Sequence, residues 1–139
     1  MKFNELKVVL ENIGANPYKC SLDQNYGTSE VGVCLVQNGS SFKIWNWDSG
    51  KRWLFHEFDN ESEACEAFCS IVEKDKYYTT HSAGVFDNDK AAMHLVQKFN
   101  EAGILAEIIS FQIGFERKKC FEVQVFGRDF LKIKTIRGY

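Results

Sequence analysis

Proline is nearly absent from this chain of 139 residues, Pro17 being the only one, and there is no Ser/Gly-rich tract. Together with a charged fraction of 26% this excludes a disordered protein or a flexible central linker. Long apolar runs are also missing. The first residues, MKFNELKVVLENIG, scatter charges among their apolar positions, so neither a signal peptide nor a membrane span is expected, and the expectation is a soluble cytoplasmic protein that makes no membrane contact. A large charge of one sign is lacking too: the formal net charge is -2, with 12 acidic against 8 basic side chains up to residue 80 and 7 against 9 after it. Nucleic-acid binders carry a strongly basic face, so no direct nucleic-acid contact is expected. No Gly-rich phosphate loop, nucleophile elbow or His-Glu-x-x-His helix occurs, so the expectation is a protein that is not an enzyme and holds no cofactor. The five cysteines are an odd number set inside apolar patterns, which suits reduced core residues in the cytosol better than a disulfide framework.

What the chain has in quantity is apolar and aromatic side chains, 45% and 14% of its residues, enough for one real core but too short a chain for two comfortable independent domains. All three tryptophans fall in the stretch from Ser41 to Lys74. It reads as a tight hairpin, with a turn at Asp48-Ser49-Gly50-Lys51, feeding a helix. With Trp47 opposite Arg52, one face carries Lys43, Trp45, Trp47, Arg52, Leu54, His56 and Phe58; the other carries Phe42, Ile44, Asn46, Trp53, Phe55 and Glu57. Asn60 followed by Glu63 is a helix-start signature, and Ala64, Phe68, Ile71 and Val72 form a packing stripe behind it.

Taken in order, Asn4 to Ile13 is an amphipathic helix stopped by Gly14, and Tyr18 to Leu22 and Val31 to Val36 are strands separated by a polar loop from Asp23 to Ser29. With the hairpin and its helix they make an α-β-β-β-β-α module, its neighbouring strands antiparallel because the connections are short. Lys74 to Asn88 is a polar connection with room for an irregular strand. A helix capped by Asp87 or Asn88 follows, with Ala92, Leu95, Val96, Phe99 and Ala102 on one face and Gly103 at its end, and then strands at Leu105 to Ile113, Cys120 to Phe126 and Phe130 to Ile136. The expected fold is α+β: a mainly antiparallel sheet of about seven strands with about three helices, loosely repeating an α-β unit. It is one domain over residues 1–139, with sub-modules 1–76 and 85–139.

Chemistry-bearing patterns are few. Cys65 and Cys69, at i and i+4 on one helix with His56 upstream, have metal-ligand spacing but lack the further ligand that structural zinc requires, so no metal is expected. Glu61, Glu63 and Glu66 around Cys65 raise its thiol pKa and argue against a nucleophile. Asp87-Asn88-Asp89 begins like a calcium loop, yet Ala92 stands where Gly is needed and Lys98 where an acid is needed. Glu116-Arg117-Lys118-Lys119 is a charged hairpin tip. Two features suit protein recognition. Glu57, Asp59, Glu61, Glu63 and Glu66 put five acids into ten positions without a Lys or Arg, although Glu61 and Glu63 also serve the helix dipole. The hairpin face bearing Trp45 and Trp47 beside Lys43 and Arg52 is free to dock a partner unless a second layer buries it.

The run from Tyr18 to Lys74 resembles small bacterial immunity proteins of polymorphic and contact-dependent growth inhibition toxin systems. The most specific part is Trp47 to Phe68, where Gly50-Lys51, Phe58, Glu61, Glu63, Ala64, Cys65 and Phe68 stand in the order associated with that group. The resemblance covers somewhat less than half the chain, and the portion from Tyr78 onward has no counterpart in it. It implies a non-catalytic antitoxin that binds the toxic C-terminal domain of a larger secreted protein, a nuclease among the candidates, with the acidic residues mimicking phosphate and the tryptophans forming the interface core. Oligomeric state leaves no mark in the sequence. The alternative is a ligand-binding or regulatory α+β module whose aromatic face lines a small-molecule pocket.

Overall fold

The computed structural model describes residues 1–23, 31–48 and 50–137, the last four of these as backbone alone. Most of the expected loop from Asp23 to Ser29, and Ser49 of the hairpin turn, lie outside the described residues. The chain divides into two compact units, Met1–Thr79 and Thr80–Tyr139.

The first unit runs α1 (Phe3–Ile13), β1 (Cys20–Leu22), β2 (Gly32–Asn38), β3 (Ser41–Asp48), β4 (Lys51–Phe58), α2 (Glu61–Lys74) and a 3-10 turn (Lys76–Thr79), with its four strands side by side in sequence order. Gly14, in the left-handed conformation at φ 76°, ends α1. The Asn60 side chain accepts from the Glu63 amide at 3.0 Å and starts α2. Leu6 and Leu10 of α1 and Ala64, Phe68 and Val72 of α2 close over Val33, Leu35, Phe42 and Ile44, the residues that alternation brings to one face of β2 and β3. Both helices therefore lie on the same side of the sheet.

Two expectations about this sheet are corrected. β1 and β2 are parallel, not antiparallel. The expectation that a short connection imposes antiparallel pairing loosens for a strand as short as Cys20–Leu22, which rises only about 10 Å. Gly32 permits the junction: at φ 120° it sits so close to Lys19 that a Cβ there would fall 1.7 Å from the Lys19 carbonyl oxygen, and the next amide, of Val33, donates to that oxygen at 3.1 Å. The second correction concerns the hairpin. Trp47 does lie opposite Arg52, but the register shifts between Ile44 and Trp45, so Trp45 faces Leu54 while Ile44 faces His56. Phe55 is the extra residue of a β-bulge. Beyond it the sides exchange: His56 and Phe58 join Ile44 and Phe42 on the helix side, and Glu57 joins Lys43 on the outer side.

The second unit is β5 (Thr80–Phe86), α3 (Asp89–Glu101), β6 (Ala106–Ile113), β7 (Lys118–Phe126) and α4 (Asp129–Arg137), with sheet order β5-β7-β6 and both pairings antiparallel. The connection after Lys74 is more ordered than expected, because Thr80–Phe86 finds the free edge of β7. Asn88 caps α3 through the Ala91 amide at 2.8 Å, and Ala92 and Phe99 pack with Val123, Val125 and Ile133. Phe130 to Ile136, read as a strand, is helical. The i, i+3 spacing of Phe130 and Ile133 puts both against the core, a helical period hidden under an apolar alternation. Among the described residues there are thus four α-helices and seven strands, an α+β fold.

Candidate functional site

The face of the first sheet away from its helices carries the strongest concentration of unassigned side chains. On β2, Cys34 and Val36 point there; on β3, Lys43, Trp45 and Trp47; on β4, Arg52, Leu54 and Glu57. The Arg52 guanidinium lies 4.6 Å from the Trp45 ring centroid and 5.7 Å from that of Trp47, a cation held over two indoles. This is where hairpin register alone placed Trp45, Trp47 and Arg52 together. Both tryptophans are half-buried, and the Trp47 Nε1–H is enclosed without a hydrogen-bond partner among the described residues.

β4 closes this face and is exposed from Lys51 to Glu57. Trp53, Leu54 and Phe55 retain 51%, 44% and 55% of their surface, an apolar run on a sheet edge that the alternating sequence pattern did not reveal, because edge position is set by which strands pair.

The five acids do not act as one strip. The Ser41 hydroxyl donates to Glu57 at 2.8 Å, and Lys43 stands opposite Glu57 on the ladder. Glu61 is half-buried and accepts the Phe3 amide at 2.7 Å, so it caps α1 as well as opening α2. Asp59, Glu63 and Glu66 stand exposed around the start of α2 and are the acids free to meet another molecule.

The cysteines are placed for packing. Burial pushes the Cys20 thiol up to about 12, and burial followed by the Glu61 charge pushes Cys65 up to about 11. Cys69 and Cys34 are raised as well, chiefly by burial. Cys69 lies beside Glu73, its Sγ donating at 3.8 Å. Each shift favours the protonated thiol, the less nucleophilic form. Among the described residues no three His, Cys, Asp or Glu side chains gather as metal ligands, and no helix is long and apolar enough to cross a membrane. A concavity along α3 is walled by Lys90, Met93, His94, Val96 and Gln97, and neither Trp45 nor Trp47 contributes to it.

No protein-family model, no curated protein and no solved structure matches this chain.

Proposed function

We propose that this chain is an immunity protein: it binds the toxic C-terminal domain of a cognate contact-dependent inhibition or related polymorphic toxin in the cytoplasm and neutralises it without catalysis. The observation that carries the reading is the outer face of the first sheet, where Trp45 and Trp47 lie under Arg52 on the side opposite both helices. Tryptophan and arginine on a preformed, rigid sheet are the residue types that dominate protein interfaces, and here they lose little entropy on docking. Asp59, Glu63 and Glu66 beside the sheet supply a negative field that speeds encounter with a basic-grooved toxin such as a nuclease. The likeness of residues 18–74 to immunity proteins supports the same conclusion.

The test is co-expression of this chain with the C-terminal domain encoded by the gene just upstream, scored by affinity capture and by rescue of growth. Capture with rescue is the expected result. Trp47→Ala should then lower toxin affinity by at least about 2 kcal/mol, whereas Asp59→Lys with Glu66→Lys should slow association and flatten its salt dependence. Neither capture nor rescue would remove the proposal.

A further inference from the structure

The first sheet ends on β4, whose outer edge pairs with no strand among the described residues. Long edge strands are normally protected by charges along their length or by a covering element. β4 has eight residues, its charges stand toward its ends at Lys51, Arg52 and Glu57, and its middle is the exposed Trp53-Leu54-Phe55 run.

The bulge gives this strand an internal symmetry. Because Phe55 is the extra residue, Arg52 lies two ladder positions before Leu54 and Glu57 two positions after it. Trp53 and His56 are likewise one position to either side, and Lys51 and Phe58 three. The sides match as well: Arg52, Leu54 and Glu57 share the outer face, while Lys51, Trp53, His56 and Phe58 share the helix face. Antiparallel ladder bonds fall on alternate residues, starting from the Asp48–Lys51 pair that closes the hairpin. That alternation directs the backbone N–H and C=O groups of Arg52, Leu54 and Glu57 at the free edge. Without the bulge, the position matching Arg52 would be His56, and the charge relation would vanish.

We propose that β4 pairs antiparallel with β4 of a second copy of this chain, about a two-fold axis through Leu54, fusing two four-stranded sheets into one. Each Arg52 then stands opposite the partner's Glu57, Leu54 opposite Leu54, and Trp53 opposite His56. The two-fold contact is self-complementary in charge, side and ladder pattern at once, which is what an isologous interface demands. The outer faces of the two copies become continuous, so Trp45 and Trp47 remain accessible. The inference does not depend on the toxin reading, since it is tested on the chain alone.

Analytical ultracentrifugation of the full chain over a concentration series, with circular dichroism confirming that each variant folds, decides it. The expected species is a dimer of the 16.0 kDa chain. Arg52→Glu and Glu57→Arg should each weaken association at least about tenfold by setting like charges opposite one another, and the two together should restore it. Leu54→Pro, which removes an outward N–H at the centre, should abolish it. A wild-type chain that stays monomeric at ~100 µM, where even weak self-association is populated, overturns the proposal. So does a dimer that is indifferent to Arg52→Glu, because its interface must then lie elsewhere.

Discussion

β4 and β7 are both second strands of an antiparallel hairpin, but β7 alternates apolar and polar residues from Phe121 to Val125, whereas β4 carries the unbroken apolar run Trp53-Leu54-Phe55. Their fates differ completely. Val123 and Val125 of β7 are fully buried, whereas Leu54 of β4 keeps 44% of its surface. The difference lies in what covers each strand: α3 and α4 pack over Val123 and Val125 and β5 pairs with the second edge of β7, while Leu54 faces away from α1 and α2 and nothing described pairs with the second edge of β4. Alternation tells a strand which way its side chains point; neighbours decide whether either side is covered.

The sharpest way to break that contrast is to put the same charge into each strand. Val125→Asp strands a carboxylate in the core of the second unit and should cost more than about 4 kcal/mol, enough to abolish its cooperative unfolding in a denaturant titration followed by far-UV dichroism. Gly32→Ala comes next. It forces a Cβ against the Lys19 carbonyl at a φ of 120°, and a loss of about 3 kcal/mol or more in the same titration would match a junction that cannot relax.

Alkaline pH should act more gently, and on the first unit. The folded Cys20 and Cys65 thiols are raised to about 12 and about 11 from 9.0. The folded state therefore holds these protons more tightly than the unfolded one. The stability this contributes is complete below pH 9 and is lost as pH rises from 9 towards the folded values. Melting temperature should fall over that window, and Cys20→Ala with Cys65→Ala should reduce the slope. The smallest effect belongs to the edge. Leu54→Asp, measured at protein concentrations low enough for a monomer, should change stability by less than about 1 kcal/mol; a loss comparable with that of Val125→Asp would mean that β4 is covered after all.

Much of the first unit was legible because its signals are local. Asn60 and Glu63 announce a helix, and the pairing of Trp47 with Arg52 follows from turn length; in the second unit Asn88 and Gly103 bracket a helix in the same local way. The bulge was not legible, since Leu-Phe-His-Glu-Phe alternates acceptably with or without an extra residue. That single insertion moved His56, Glu57 and Phe58 to sides opposite those expected. The helix from Asp129 to Arg137 was missed for a related reason: Phe-Leu-Lys-Ile-Lys satisfies two periods at once, and packing against the second core selects the helical one. At the candidate site, Trp45, Trp47 and Arg52 were found by register, whereas the role of Glu61 as the acceptor of the Phe3 amide joins residues far apart in sequence and left no local sign.

The gathering of all three tryptophans on β3 and β4 also makes the protein its own two-channel spectrometer. Indole emission arises solely from the first unit, while far-UV dichroism sums the helices and strands of both. Denaturation followed simultaneously by the two signals separates the units without a label or a truncation: coincident curves mean that they unfold as one cooperative body, and displaced curves give each unit its own midpoint.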